Sequence, residues 1–461
     1  MRNSHLAIGD VIDINIKKIG INGEGIGYYD NLAVFVEYGL PSEDLKVRIT
    51  KVFDNRATAE IEEIITESPD RVEPFCPKYY ECGGCQLQHL RYEKTLEIKR
   101  DLVIESMIKY YDKNFKQSLV KPTIGAENNI HYRNKASLPV KYQRGKNKVG
   151  IYKMGTNHFV EIGDCPIQMK SVNECLKDVT RLMDKHEIDA FDIKTKRGYV
   201  KALSVRANQD ETQLQVSFIM VKYTNKINTL VKELVKMNKR VVSVFLSINT
   251  RAKEQTFFTP EIEKLYGSDT LEVTLDNHKF LIKPDAFFQL NYGQASTFYN
   301  KIKGSANLTG KETVIDGFAG AATISHYLAD KAKKIYAIEL DKASVQSGIV
   351  SLENNEITNV SMIEGDFFKA LSGLKRMEID LLVFDPPRAG LGKGVVEGLK
   401  KYKINKIIYG SCSPITLAKD VKRQDGFEVG ELQPLDMFPW TSHVEMVVTL
   451  KFLYRTEHQF F

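Results

Sequence analysis

Cys412 follows a short apolar run, Ile407, Ile408 and Tyr409, and sits among Gly410, Ser411 and Ser413, with Pro414 just beyond. Small neighbours leave a thiol accessible, proline suits the first turn of a helix, and a helix N-terminus favours a thiolate. A lone strand-end cysteine is more often packed, and these neighbours favour the other reading, a presented nucleophile, if the rest of the chain supplies its chemistry. Four acidic side chains hold comparable places: Asp316 after TVI, Glu339 after IYAI, Asp366 after MIEG and Asp385 after LLVF. Each closes an apolar run, where a parallel sheet opens to ligands. A fifth acid, Glu445, begins the apolar run EMVVTL, with His443 two residues before it. Residues two apart on a strand share a face, so either could act as a base at one site.

These groups suit one kind of chemistry. The turn after Asp316, GFAGAA, lacks the GxGxxG spacing that admits a pyrophosphate, and Glu339 follows 23 residues later, where an acid can accept both ribose hydroxyls. S-adenosylmethionine carries an adenosine without phosphate, which fits a tighter turn. Asp366 is placed to accept from the adenine amino group and Asp385 to lie beside the sulfonium, although a strand-end Asp also serves as a helix cap. A thiolate, a methyl donor and a base together can methylate carbon 5 of a pyrimidine. Addition of the thiolate to C6 makes C5 nucleophilic, and the C5 proton must leave before the thiolate does.

A second set of cysteines, Cys76, Cys82 and Cys85, has the spacing C-x5-C-x2-C, with Cys165 far downstream in IGDCPIQ. Four soft ligands suit a [4Fe–4S] cluster or a structural zinc, and one close pair with a lone distant partner favours the cluster. Cys175 is left over as a core residue.

Several elements must position these groups. Residues 1–67 alternate apolar and polar positions, broken by Gly20, Gly23, Gly25 and Gly27, as in a small OB-like barrel of about five strands. TESPDRVEPFCP reads as a linker, and residues 68–278 as a central α+β domain with helices over 94–111 and 223–238. Residues 131–153 hold seven Lys or Arg and no acid, with Tyr132, Tyr142 and Tyr152. Arg133, Lys135, Lys141 and Arg144 are candidates for phosphate contacts beside stacked bases. From 279 to 455, ETVIDGF, KKIYAIEL, VSMIEGD, IDLLVFD and KIIYGS alternate with helices expected near 321, 341, 367, 393 and 414. That pattern describes a Rossmann-like parallel sheet. The chain is thus a multidomain α/β protein of 461 residues, with 43% apolar and 27% charged residues and a net charge of +6, which permits a nucleic-acid partner. No signal-peptide order and no apolar run of membrane length are present, so a cytoplasmic monomer is expected.

The motifs together resemble the RNA uracil-C5 methyltransferases, in particular the bacterial 23S rRNA (uracil-5-)-methyltransferases with a TRAM domain and a [4Fe–4S] cluster. The resemblance rests on C-x5-C-x2-C with Cys165, HYRNKA at 131–136, DAFFQLN at 285–291, DPPRAG, SC-x-P-x-TLA-x-D and FP-x-T-x-HVE. It implies Cys412 as nucleophile, Glu445 as base, and Gln289, Phe318, Glu339 and Asp385 as contacts to S-adenosylmethionine. It also implies rRNA rather than tRNA as substrate, because the tRNA branch generally lacks both the TRAM domain and the cluster. Three motifs depart from the family pattern: the turn D-x-Y/F-C-G-x-G, with Ala319 and Ala322, the nucleophile turn, with Ser413 where Asn is usual, and the ending, with Trp440 where His is usual. They keep open the alternative of a diverged rRNA-binding or ribosome-assembly paralogue.

Overall fold

The computed structural model describes residues 6–153, 156–251, 257–374, 378–392, 399, 402, 404–423 and 427–452. The chain forms two compact units. The first takes residues 1–126, 387–397 and 410–461, and the second residues 127–386 and 398–409.

In the first unit, strands β1 (Val11–Ile19), β2 (Gly25–Tyr29), β3 (Leu32–Val36), β4 (Asp44–Phe53) and β5 (Arg56–Thr66) close into a barrel in the order β1-β2-β3-β5-β4. Alternate residues such as Ile14, Ile16, Val34, Val36, Leu45 and Val47 fill its core, as the period-two pattern predicts. Gly25 and Gly27 pass so close to the Gly39 carbonyl and Asn15 that a side chain would not fit. The expected linker is not loose. Arg71 donates to Glu43 at 2.6 Å and to the Tyr38 carbonyl at 2.7 Å, fastening residues 68–71 to the barrel. A one-turn helix α1 (Tyr79–Cys82) and the long α2 (Tyr92–Tyr110) follow.

The second unit opens with β6 (Lys135–Gln143), β7 (Lys146–Tyr152), β8 (Phe159–Glu161), α3 (Lys170–Lys185), β9 (Val200–Ala207), β10 (Leu214–Met220), α4 (Lys226–Met237), β11 (Val241–Ile248) and β12 (Ile262–Gly267). Their sheet runs β12-β11-β10-β9-β6-β7-β8. A hairpin of β13 (Leu271–Leu275) and β14 (His278–Ile282) and the helix α5 (Tyr292–Ala306) lead into the αβ alternation. That alternation comprises β15 (Thr313–Gly317), α6 (Thr323–Leu328), β16 (Lys334–Glu339), α7 (Lys342–Asn354), β17 (Val360–Glu364), α8 (Phe367–Gly373), β18 (Ile379–Phe384) and β19 (Ile404–Ser411). All five strands are parallel, paired β17-β16-β15-β18-β19. The order reverses between β15 and β18, and the crevice of such a sheet opens at that switch. The helix expected near 393 falls outside the described residues.

The first unit takes the chain back after β19, in α9 (Pro414–Arg423) and the antiparallel strands β20 (Phe427–Leu435) and β21 (Glu445–Phe452). Helix α9 packs on α2. No helix among the described residues is long and apolar enough to cross a membrane.

Candidate active site

In the first unit, the turn after β19 presents Cys412 half-buried between buried Ser411 and half-buried Ser413. Ser413 Oγ accepts from the Thr416 amide at 3.4 Å and its carbonyl from the Leu417 amide at 3.0 Å, so Ser413 caps α9, with Pro414 as first residue. Serine is as good a cap as asparagine, which accounts physically for that departure. Cys412 thus precedes the positive end of a ten-residue helix.

The adjoining segment is held by Asp420 of the same helix, whose carboxylate accepts from the Leu391 amide at 2.7 Å. Gly390 has φ +77°, and a Cβ there would meet Asp420 Oδ2 at 2.4 Å. Only glycine fits both the left-handed backbone and that approach. Gly390→Ala is therefore expected to destabilise the protein by about 2 kcal/mol or more, read from urea unfolding. An unchanged midpoint would show that the carboxylate can step aside. Sequence reading used DPPRAG and SC-x-P-x-TLA-x-D separately; the Asp420 contact is what joins them.

Glu445 is buried at the start of β21, opposite Leu435, whereas His443 is exposed before the strand begins. Burial separates the two candidates for the base and leaves Glu445 on the interior side. Trp440, with φ +68°, packs its ring against Phe75 and Tyr92 at centroid distances of 5.2 and 5.1 Å. Its carbonyl accepts from the Gln86 and Leu87 amides, both at 2.9 Å. This departure thus braces the loop before Glu445 against the cysteine segment.

Within that segment, Cys76, Cys82 and Cys85 are half-buried around α1, which ends at Gly83 with φ +70°. Three thiols within ten residues are the right kind of donor for a thiophilic metal. Among the described residues no group of three or more His, Cys, Asp or Glu is arranged to hold one, so the geometry does not show the expected [4Fe–4S] or zinc site. Cys165 belongs to the second unit, and is likewise half-buried. Cys175 is core, its thiol pushed up to about 12 by burial.

In the second unit, the carboxyl ends of β15, β16 and β18 carry Asp316, Glu339 and Asp385. Glu339 accepts from the Gly320 amide at 2.9 Å and the Asp341 amide at 2.7 Å, drawing the small-residue turn over β16. Asp316 is fully buried; one oxygen accepts from the Ser325 hydroxyl at 2.7 Å, while the other has no hydrogen-bond partner among the described residues. Burial, and then the nearby Asp385 and Glu339, push Asp316 up to about 7, and burial pushes Asp385 up to about 6. Such crowded carboxyls suit a cationic ligand. Phe318 has φ +61° and stacks on Phe367 at 5.6 Å, and Leu340, beside Glu339, is exposed. Ala322 is left-handed with φ +60° and fully buried, so the turn holds strain where glycine is usual; the His326 ring nitrogen Nδ1 lies 2.7 Å from its carbonyl oxygen. Asp366 is exposed and caps α8, accepting from the Phe368 and Lys369 amides at 3.1 Å each. That is the capping role weighed from sequence.

Gln289 is buried in the strap 285–291. The strap is hung on HYRNKA: Asn134 donates to the Gln289 carbonyl at 2.9 Å and its own amide to the Leu290 carbonyl at 2.9 Å. Buried Arg206 adds a bond to the Ala286 carbonyl at 2.8 Å. The basic stretch is therefore partly a scaffold. The Lys135 amine donates to the Pro284 carbonyl at 3.2 Å, and burial pulls its pKa down to about 6. Tyr132 is core, and Arg133 is half-buried and donates to the Lys135 carbonyl. Arg144, Tyr142 and Tyr152 are exposed on the β6–β7 hairpin, with half-buried Lys141 over the Phe159 ring.

The sequence profile described as tRNA (Uracil-5-)-methyltransferase matches residues 91–452, and that of the TRAM domain residues 6–61. An RNA methyltransferase of Halalkalibacterium halodurans is 36% identical over 453 residues, covering 97% of this chain and 98% of its own. One from Clostridium tetani is 33% identical over 447 residues, covering 95% and 96%. Among solved structures, the Pyrococcus abyssi tRNA (uracil-54, C5)-methyltransferase in complex with S-adenosyl-L-homocysteine superposes with a TM-score of 0.74 at 25% identity. The match covers 95% of this chain and 99% of that one.

Proposed function

From the premise that this chain belongs to the tRNA (uracil-5-)-methyltransferase family and carries a TRAM domain, we propose that it methylates carbon 5 of a uridine in 23S rRNA. The methyl group comes from S-adenosylmethionine, and the reaction passes through a covalent bond between Cys412 and C6. The observation that carries this reading is the presence, in one unit, of a half-buried thiol at a capped helix N-terminus and a buried glutamate at the head of β21. Cys412 Sγ adds to C6, C5 takes the methyl group, and Glu445 removes the C5 proton so that the thiolate can leave.

In the second unit, Asp316, Glu339 and Asp385 supply negative charge suited to the sulfonium and the ribose hydroxyls, while Gln289 and Phe318 line the same donor site. Asp366 keeps a place there beyond its capping oxygen, toward the adenine. Lys141 and Arg144, beside Tyr142 and Tyr152, offer phosphate contacts and stacking surfaces to an unpaired strand, and Arg133, ahead of β6, is a further phosphate contact. A target base has to leave its stack to be attacked at C6, and such a surface can hold the flanking nucleotides.

The TRAM barrel and the cysteine segment favour rRNA, following the resemblance. The Pyrococcus neighbour, a tRNA methyltransferase by its title, motivates tRNA as a second reading. Tritiated S-adenosylmethionine offered separately with unmodified 23S rRNA and tRNA decides between them. Label in 5-methyluridine from rRNA is expected; label in tRNA alone supports the second reading, and label in neither leaves a binding or assembly factor.

Cys76, Cys82 and Cys85, with Cys165, complete the proposal as thiolate ligands of a [4Fe–4S] cluster. When bound, such a cluster would fasten the cysteine segment; no step of the methyl transfer passes through it. Protein purified without oxygen is expected to contain about four irons per chain. Stoichiometric zinc, or no metal, would contradict the cluster without touching the methyl-transfer reading.

A further inference from the structure

Glu445 is preceded by the loop 436–444, and that loop is fastened by side chains distant in sequence. Lys99, in the middle of α2, is fully buried and ion-paired with Asp436. Its ammonium also donates to the Phe438 carbonyl at 3.1 Å. The second carboxylate oxygen of Asp436 accepts from the Tyr92 hydroxyl at 2.7 Å, and the Asp436 amide donates to the Ile124 carbonyl at 2.9 Å. Further along, the Trp440 carbonyl holds the Gln86 and Leu87 amides, and the Ser442 amide donates to Gln86 Oε1 at 3.4 Å. One end of the loop is thus tied to α2 and its middle to the cysteine segment.

A buried ion pair is a poor device for stability alone, since well-packed apolar residues of similar size often do as well or better. A lysine ammonium sealed in the interior calls for another role. Burial works against the charged form of that amine, Asp436 offsets it most, and Cys85 and Glu445 add smaller favourable contributions. The ion pair that clamps the loop thus acts on the segment that delivers the Glu445 carboxylate.

We propose that Lys99, together with Asp436, is a positioning residue for Glu445, directing its carboxylate for removal of the C5 proton. The proposal rests on Glu445 being the base. In that step the C5–H bond breaks with its proton passing to Glu445, its electron pair forms the C5=C6 bond, and the C6–S bond breaks with its pair returning to the Cys412 thiolate. Methyl transfer precedes this step and does not use the base. A fault in positioning therefore slows adduct breakdown and spares methylation.

The test is a single-turnover reaction of the full-length protein with labelled S-adenosylmethionine and RNA. It follows total methylated RNA and the fraction still bonded to protein on a denaturing gel. Lys99→Met combined with Asp436→Asn removes both charges, so that neither is left buried alone. Lys99→Gln with Asp436→Asn is the second form of the test should the first not fold. The expected result is methylation within about threefold of the parent and adduct breakdown slowed about tenfold or more, as a misplaced general base implies. Glu97→Gln, a change at an exposed position of the same helix, is expected to break down its adduct at the parent rate. Equal losses in both steps, or normal breakdown in the charge-free variant, overturn the proposal. Glu445→Gln runs alongside: if it accumulates adduct and the charge-free variant does not, the Lys99 assignment alone fails. If Glu445→Gln accumulates none, the base assignment fails and the Lys99 proposal with it.

Discussion

Cys412→Ala is expected to bind RNA and S-adenosylmethionine as the parent does while methyl transfer falls by about 10⁴-fold or more, the scale of loss when a covalent nucleophile is removed. The physical reason is that C5 of uracil is a poor nucleophile until a thiolate has added to C6. No carboxylate at the strand ends can supply that addition. The change is small in size at a half-buried position, and the Ser413 cap and Pro414 that start α9 are untouched. Filter binding and tritium incorporation measured on the same preparation separate the two effects. Parallel loss of binding and transfer would point to a folding defect, and retained transfer would remove Cys412 from the chemistry.

Glu445→Gln should stop the reaction one step later. Glutamine keeps the size and a hydrogen-bonding end but cannot take a proton, so the methylated adduct forms and persists. A positioned general base contributes about 10²–10⁴-fold, and release of 5-methyluridine should slow by that amount. A gel-stable protein–RNA species then accumulates in proportion to enzyme. The exposed His443 makes a useful control, because His443→Ala should leave release within about threefold of the parent if the buried glutamate is the base. Normal release from Glu445→Gln would assign the proton to another group.

Much of the fold could be read from apolar spacing. The five parallel strands of the second unit are short, nearly continuous apolar runs, four closed by an acid and the fifth by Cys412, and the barrel strands alternate with period two. What escaped reading was set by partners far away in the chain. HYRNKA reads as a basic, aromatic surface because charge density is local information. Its actual duty, holding the strap that carries Gln289, depends on bonds across 155 residues from Asn134 to Gln289 and 80 from Arg206 to Ala286. The inward bond of Lys135 is hidden for the same reason, since nothing beside it in sequence shows the Pro284 carbonyl.

Lys99 carried a usable signal. It lies on the helical face of Thr95 and Leu102, among apolar positions where a solvated lysine does not belong, and so marks a buried partner in advance. Asp436, 337 residues on, could not have been paired with it from spacing alone. The departures at Ser413 and Trp440 are likewise explained by geometry: one preserves a cap, and the other braces a loop with its ring and its carbonyl.

The decisive measurement is mass spectrometry of the species trapped with Glu445→Gln, after digestion by nuclease and protease. The peptide containing Cys412 should carry a uridine nucleotide with one added methyl group, attached through sulfur. A trapped nucleotide on any other residue, or a methyl group found anywhere but on that uracil ring, would contradict the mechanism at its root.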